Sequence, residues 1–223
     1  MPLDWSAFLP PVIVSVKVAV VASIIVFLLA TVVARMMANC KLRRGISVIE
    51  TILLLPLVLP PTVVGFILLI LLGRKSWIGT AFESLFQQTI VFTWGAAVVA
   101  AVVVAFPLAY RTIKAGFEAV DPEIVQAARA QGANEWQVFR HITMPLAYRP
   151  LISGYILGFA RGLGEFGATL MLAGNIPEQT QTLPTAIYTA SEVGNMTLSW
   201  SWVAVIILFS FMMLMLSNRL VKD

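Results

Sequence analysis

Two opposite charges, Arg161 and Glu165, lie four residues apart in a stretch of sequence that is otherwise apolar. Charged side chains are costly inside a membrane and are therefore candidates for function. Arg161 could attract an anion, Glu165 could stabilise a dimer or a gate, and the two together could relay protons. Because residues four apart share one helix face, they could equally neutralise each other as a purely structural ion pair. The residues alone leave these interpretations open.

Other kinds of active-site chemistry are not indicated. The sequence has no G-x-x-x-x-G-K-[ST] phosphate loop and no suggestive grouping of Ser, His and Asp or of Cys and His. Its single cysteine, Cys40, excludes an internal disulfide, and its single histidine, His141, has no Cys or acidic neighbours that would form a metal site. We therefore predict that this chain has no catalytic residues, binds no metal or cofactor and is not an enzyme.

The composition predicts an all-α membrane protein. Hydrophobic residues make up 59% of the 223 residues, charged residues only 12%, and the mean hydropathy is +0.90. About 20 apolar residues cross the hydrocarbon layer, and five segments meet this length: 12–34, 48–72, 88–110, 151–174 and 198–217. We expect one transmembrane domain over residues 1–223. The first segment is long and is preceded by Asp4 and by no Lys or Arg, so a cleaved signal peptide is not predicted.

The distribution of basic residues predicts the orientation. Eleven of the 15 lie on one side of the predicted spans: Arg35, Lys41, Arg43, Arg44, Arg111, Lys114, Arg129, Arg140, Arg149, Arg219 and Lys222. Because basic residues favour the cytoplasmic side, the N-terminus is predicted outside and the C-terminus in the cytoplasm. The net charge of +4 thus reflects topology in a lipid membrane, and no nucleic-acid partner is expected.

The long polar loop 111–150 contains a compact segment, residues 121–145, which we call the 121–145 element. Asp121, with Pro122 behind it, is typical of a helix start, and Gly132 suits a helix end with positive φ. Asn134 can cap a second short helix running to about Thr143, which Pro145 would separate from the next span. The element is predicted to lie in the cytoplasm.

Small and aromatic side chains give this element two possible uses. Ala127 and Ala128 would let another surface approach closely, and Trp136 and Phe139 could anchor a partner, since aromatic residues dominate interface energetics. Alternatively, the same residues could pack only against their own chain. The residues themselves leave both open.

Two of the predicted spans contain helix-breaking or close-packing patterns. Pro56, Pro60 and Pro61 should kink or break the second span, either passively or because it lines a cavity. The fourth span carries glycines at every fourth position, which permits close helix contact within the chain or across a dimer: Gly154, Gly158 and Gly162.

The 121–145 element resembles the cytoplasmic "EAA" loop of ABC importer permeases. That pattern is E-A-A, three residues, G, nine residues, I-x-L-P, and the spacing here is the same, with Gln126 in place of glutamate and Met144 in place of leucine. The resemblance implies that this loop is a coupling helix docking on an ATP-binding subunit. It assigns this role to Gln126, Ala127, Ala128, Gly132, Trp136, Phe139 and Pro145.

A longer resemblance covers nearly the whole chain. Residues 57–65 (L-V-L-P-P-T-V-V-G), 159–169 (F-A-R-G-L-G-E-F-G-A-T), 174–177 (G-N-I-P) and 182–188 (T-L-P-T-A-I-Y) are similar to the oxyanion branch of these permeases. Sulfate permeases share part of these motifs, and the molybdate permeases match best. Residues in these motifs are thereby candidates for the translocation pathway or gate: Pro60, Pro61, Thr62, Arg161, Glu165 and Thr169.

The resemblance implies a type I ABC importer permease of the inner membrane. It implies a homodimer with one pathway, two ATP-binding cassette subunits that hold ATP and Mg, and a periplasmic molybdate-binding protein that delivers to loops 73–87 and 174–196. Sulfate or tungstate import is an alternative within this class. A proton-coupled secondary transporter using Arg161 and Glu165 is a rival from another class, as is a non-transporting scaffold, which the broken second span disfavours.

Overall fold

The computed structural model describes the backbone of residues 5–39 and 43–222 and the side chains of residues 5–38 and 47–219. Several residues used in the predictions lie outside this description, either entirely or in their side chains: Asp4, Cys40, Lys41, Arg43, Arg44 and Lys222.

Every regular element of the described residues is helical, which confirms the predicted all-α class. The elements are α1 (Trp5–Asn39), α2 (Arg43–Val58), α3 (Pro61–Leu72), α4 (Trp77–Phe86), α5 (Trp94–Glu118), α6 (Pro122–Ala130), α7 (Glu135–Val138), a π-helical turn (Phe139–Thr143), α8 (Met144–Leu146), α9 (Tyr148–Leu163), α10 (Gly167–Ala173), α11 (Leu183–Glu192) and α12 (Met196–Lys222).

Three described helices, α1, α5 and α12, are each long and apolar enough to cross a membrane. Two further pairs meet the same test only together, because each is bent: α2 and α3 by 115°, and α9 and α10 by 61°. By length and composition the described residues therefore hold three crossing helices, or up to five if each bent pair is one span.

The prolines of the predicted second span have different effects. Pro56 stays inside α2, whereas Pro60 adopts an extended conformation (φ −53°, ψ 135°) and Pro61 is the first residue of α3. Proline has no backbone N–H, so it suits the first turn of a helix, where that donor has no partner in any case. The break predicted for this segment thus lies at Leu59–Pro60.

The helices and the predicted membrane spans do not begin at the same residues, as α5 and α9 illustrate. The third span was expected from residue 88, but α5 begins at Trp94, because Phe92 has positive φ (58°) and the Thr93 side chain caps the helix by accepting from the Ala96 N–H at 3.2 Å. The fourth was expected from residue 151, but α9 already begins at Tyr148. At α5 a local cap decides where the helix starts, which hydropathy does not report, whereas α9 starts without a side-chain cap.

Small side chains form the interface where α1, α5 and α9 pack together. Alanines at this centre are fully buried: Ala22, Ala30, Ala97, Ala101, Ala105 and Ala109. The predicted glycine stripe of α9 faces the same interface, since a methyl group added at Gly154 would lie 2.6 Å from Ile113, and one at Gly158 would lie 3.3 Å from Val26. The stripe therefore packs within the chain.

The segment after α10 is tied back to α1. The Leu183 N–H at the start of α11 donates to Ser15 Oγ at 2.6 Å, and the Trp202 ring N–H donates to the Phe8 carbonyl at 3.0 Å. Both contacts are buried or partly buried, where a lost hydrogen bond leaves a costly unsatisfied group. They fix α11 and the first half of α12 against the N-terminal half of α1.

Candidate functional site

The two broken helix pairs meet close to their breaks. A methyl group added at Gly65 of α3 would lie 2.7 Å from Ala168 Cα, and one added at Gly167 of α10 would lie 3.1 Å from the Thr62 backbone nitrogen. The fold thus brings Pro61 and Thr62 beside the first turn of α10, although about a hundred residues of sequence separate them. It unites two of the predicted pathway motifs.

Arg161 and Glu165 form the ion pair that their spacing predicts. An Arg161 Nη1 lies 2.8 Å from Glu165 Oε2, with the Glu165 side chain 1% exposed and that of Arg161 31% exposed. The other carboxylate oxygen accepts the Ala168 N–H at 2.9 Å, at the start of α10. A carboxylate at a helix N-terminus satisfies an orphan donor and faces the positive end of the helix dipole. Glu165 is therefore a buried joint between α9 and α10, and Arg161 is the partly exposed member.

Thr169 and the residues of the α2–α3 break differ in accessibility. Thr169 is buried inside the chain at 1% exposure, whereas Pro60 and Thr62 are exposed. In this conformation Pro60, Thr62 and, in part, Arg161 are accessible at the surface of the chain, while Thr169 is not.

The caps predicted for the 121–145 element are present. Asp121 Oδ1 accepts from the Glu123 N–H at 2.8 Å, and Gly132 has φ +88°. Asn134 and Gln137 form a reciprocal capping box, each backbone N–H donating to the other side chain at 2.9 Å. Sequence signals alone are enough to shape this helix–turn–helix unit.

The end of the element differs from the prediction. The second short helix was expected to run to about Thr143, and helical backbone does continue through that residue, but residues 139–143 form a π-helical turn that leads directly into α8. Pro145 and Pro150 were expected to separate this helix from the next span. Pro145 is the second residue of α8, where its missing N–H costs nothing, and the chain changes direction at Ala147 (φ −94°, ψ 11°).

α6 carries the alanines of the family pattern and has no buried residue. Gln126 and Ala127 are exposed, Ala128 is half-buried, and Ile124 is 45% exposed. A nine-residue amphipathic helix whose most covered residues, Val125 and Ala128, are only half-buried leaves most of its surface available to a partner.

The aromatic residues that follow α6, Trp136 and Phe139, are neighbours with ring centroids 5.8 Å apart, but they differ in exposure. Trp136 is 64% exposed. Phe139 instead packs edge-on against Phe117 of α5, with ring centroids 6.1 Å apart, and lies beneath the Arg35 guanidinium at 5.1 Å. Phe139 thus holds the element to its own chain, and Trp136 is the residue that faces outward.

Glu135 is a charged residue that the sequence reasoning did not identify. Its two oxygens accept from Arg129 at 2.7 and 3.1 Å, across the Gly132 turn, and Oε2 lies 3.8 Å from an Arg35 nitrogen of α1. Helix spacing rules could not find this pair, because the turn between α6 and α7 interrupts the periodicity.

The hydrogen bonds from Arg129 lower the pKa of the Glu135 carboxyl below its ordinary value. A lowered pKa means that the folded chain binds this proton more weakly than the unfolded chain. The stabilisation is therefore complete above the ordinary carboxyl pKa and is lost only as the pH falls through the lowered value. Near neutral pH, Glu135 remains a carboxylate.

A second ion-pair cluster links α2 to α5 at the same end of the bundle. Lys114 Nζ lies 2.6 Å from Glu50 and 3.5 Å from Glu118, and the Tyr110 hydroxyl donates to Glu50 at 3.5 Å. This contact could not be predicted from the sequence either, because Glu50 lies in the second predicted span and Lys114 lies in the loop after the third.

A cavity of about 600 Å³ separates α6 from the ends of α1 and α5. Its lining includes Arg35, Phe117, Val125, Gln126, Arg129 and Thr143. Gln126, where the family pattern has glutamate, therefore shares this cavity with both arginines that face Glu135. Among the residues that the structure describes, no three His, Cys, Asp or Glu side chains group as metal ligands would.

Replacing Gly132 with valine should destabilise the turn between α6 and α7. No atom lies within 4 Å of a methyl group added there, so the penalty comes only from the positive φ. A left-handed conformation costs an ordinary residue about 1–2 kcal/mol. We expect faster proteolysis within residues 129–135 of the valine variant. Gly132→Asn is the matched control, because Asn tolerates this conformation better, and equal protease resistance of the two variants would contradict the argument.

Comparisons with known proteins agree with this arrangement. The family described as "Binding-protein-dependent transport system inner membrane component" matches residues 27–222. YvgM of Bacillus subtilis (strain 168), named as a molybdenum transport system permease protein, is 55% identical over 95% of this chain and 93% of its own length. The molybdenum transport system permease protein ModB of Escherichia coli (strain K12) is 42% identical over 83% of this chain and 79% of its own.

The fold also matches a solved structure. An inward-facing form of the MetNI methionine ABC transporter aligns with a TM-score of 0.75 and 18% identity, over 97% of this chain and 95% of the other. At this identity the likeness concerns the fold, and it confirms the predicted ABC importer permease architecture. Since the family match and the relatives cover most of the sequence, the chain belongs to the inner-membrane permease components of binding-protein-dependent transport systems.

Proposed function

We propose that this chain is the permease subunit of an ATP-driven importer that carries molybdate across the inner membrane. The observation that carries the proposal is α6, a capped helix with no buried residue, in a chain whose relatives are named as molybdenum transport permeases. A permease without a phosphate loop needs an energy source from elsewhere, and an exposed helix gives an ATP-binding subunit a place to act.

The orientation follows from the excess of basic residues on one side of the predicted spans. Placing that side in the cytoplasm puts the 121–145 element there, together with the C-terminus, and leaves the N-terminus outside. Residues 1–223 would form one transmembrane permease domain, with the bent pairs α2–α3 and α9–α10 each serving as one broken span.

Two ATP-binding cassette subunits would hold ATP and Mg and dock on the two 121–145 elements of a homodimer. The docking surface is α6 with Gln126, Ala127 and Ala128, together with the outward-facing Trp136; Gly132 and Pro145 shape the element. Phe139 contributes indirectly, because its contacts with Phe117 and Arg35 fix the element to α5 and α1.

The second copy would cover the apolar face of the α2–α3 pair. Val58 is 83% exposed, and Phe66 and Ile70 are also exposed on α3. In a homodimer the exposed Pro60, Thr62 and Arg161 would line one pathway between the subunits. This pathway would alternate between the two membrane faces, as packed helices rock between two arrangements.

A periplasmic molybdate-binding protein would deliver the anion to the outer loops, residues 73–87 and 174–196. Arg161 then supplies positive charge near the break, while Glu165, held by the start of α10, keeps that charge partly neutralised. A partly paired arginine can attract a dianion without retaining it, which is what conduction requires.

Uptake into proteoliposomes tests the proposal. The permease is reconstituted with its ATP-binding subunits and binding protein, and molybdate entry is followed with ATP inside the vesicles and with competing tungstate or sulfate outside. We expect entry to require ATP and to resist excess sulfate. If sulfate were taken up in preference to molybdate, the substrate assigned to the transporter would be sulfate. Entry driven by a proton gradient without ATP-binding subunits would overturn the ABC mechanism.

A further inference from the structure

α6 makes few direct contacts with the membrane helices. It buries no residue, and it is joined to α7 through a turn at Gly132, whose added methyl would meet nothing within 4 Å. Backbone hydrogen bonds from the Gly132 N–H to Arg129 and from the Ala133 N–H to Ala128 close this turn, and residues 119–121 join α6 to α5. Neither backbone connection reaches α1, so a direct connection of α6 to α1 needs a side-chain route.

The structure contains such a route, the Glu135 cluster, formed by Arg129, Glu135 and Arg35. Arg129 of α6 holds Glu135 through two hydrogen bonds of 2.7 and 3.1 Å, and Glu135 lies 3.8 Å from the Arg35 guanidinium of α1. Arg35 also lies over the ring of Phe139, which packs against Phe117 of α5. The cluster thus bridges the turn and joins α6 to two long helices.

We propose that Glu135 is a positioning residue that transmits displacement of α6 to α1. The inference rests on the proposed function, in which ATP-binding subunits move α6. Two parallel hydrogen bonds between Arg129 and Glu135 fix direction as well as distance, which a single contact cannot do. Arg35 is mostly buried, with a side-chain exposure of 19%, so its side chain has little room to rotate. A shift of Glu135 therefore moves Arg35 together with α1.

The energetic role of this cluster differs from that of a stabilising salt bridge. Arg129 and Glu135 are largely exposed, and exposed ion pairs contribute little to stability. Removing the Glu135 charge should therefore leave folding and assembly intact while weakening the connection. Gln126 supports this assignment, because it places an uncharged group at the family's glutamate position, in the same cavity as Arg129 and Glu135.

The test is Glu135→Gln in the complete transporter, with its ATP-binding subunits and binding protein. Uptake and ATP hydrolysis are measured in the same proteoliposomes, which gives the number of anions imported per ATP. We expect this ratio to fall by about fivefold or more, the lower end of usual coupling effects. Assembly and the KM for ATP should stay unchanged, because Glu135 is not itself a proposed docking residue and the nucleotide is held by the partner subunit.

Three variants make the result specific. Arg140→Gln removes an exposed charge of the π-helical turn that forms no ion pair among the described residues and is not a proposed docking residue, so its ratio should match that of the wild type. Glu135→Asp keeps the charge and should recover part of the ratio. Arg129→Lys keeps the charge but not the two parallel hydrogen bonds, and it replaces Glu135→Gln if that variant fails to assemble; its ratio should also fall.

An unchanged ratio in Glu135→Gln, or in Arg129→Lys where that variant is used, overturns the inference. Loss of assembly in both of these variants overturns it too, since it would assign the cluster a structural role. A failure of the proposed function looks different, because the wild-type complex would then show no ATP-dependent molybdate uptake.

Discussion

Gly65→Ala is expected to disrupt the crossing of α3 and α10. The new methyl group would lie 2.7 Å from Ala168 Cα and 2.8 Å from Met171 Cβ, and the first of these is backbone that cannot rotate away. Overpacking of this kind costs about 1–3 kcal/mol. Because α3 and α10 bring together the two broken spans, the shift should also displace Thr62 from the first turn of α10. We expect a lower melting temperature and, for each assembled transporter, uptake clearly below that of the wild type.

Gly95→Ala is the matched control for this variant. Its methyl group would meet only Thr93 Oγ1, at an ordinary 3.6 Å, and alanine is a better helix former than glycine. Its melting temperature and uptake should equal or exceed those of the wild type. Equal behaviour of Gly65→Ala and Gly95→Ala would show that α3 and α10 do not pack this closely.

Arg161→Ala is expected to destabilise the protein more than Glu165→Gln does. Arg161→Ala leaves the Glu165 carboxylate buried without its cation, and breaking a buried pair in this way costs about 3–5 kcal/mol. In Glu165→Gln the amide oxygen can still accept the Ala168 N–H, and Arg161 is partly exposed, so its charge is less costly. Thermal unfolding in detergent measures the order of the two variants, and the reverse order would contradict a buried carboxylate at this position.

The double variant Arg161→Ala/Glu165→Gln separates the structural from the transport role. Without the buried charge, most of the stability lost in Arg161→Ala should return. If Arg161 attracts the anion, the double variant folds and assembles, but its uptake stays at least about tenfold below that of the wild type, which corresponds to one lost favourable contact. If the folded double variant takes up molybdate as fast as the wild type, the pair has only a structural role.

The parts of the fold that the sequence predicts are those that depend on neighbouring residues. Asp121, Asn134 and Gly132 act through backbone groups only a few positions away, so their caps and turn could be predicted without tertiary information. Pro60 and Pro61 break their helix for the same local reason. The π-helical turn before Pro145 could not be predicted in this way, because the packing of Phe139 on Phe117 also shapes it.

The candidate site shows the same division. The spacing of Arg161 and Glu165 predicts their pair, whereas the Ala168 N–H that completes it depends on the bend between α9 and α10. The aromatic residues Trp136 and Phe139 are equivalent by residue type, yet the fold turns one outward and buries much of the other.

The amino-acid sequence by itself determined that this protein is an all-α membrane protein, that basic residues gather on one side of its spans, and that a capped helix–turn–helix interrupts those spans. These features follow from hydropathy, charge and local backbone preferences, which act over a few residues. Only the tertiary structure decided that Glu135 bridges Arg129 to Arg35, and that Gly65 lets α3 approach α10. Such contacts depend on helix crossings between residues that are distant or separated by a turn, and no sequence period records them.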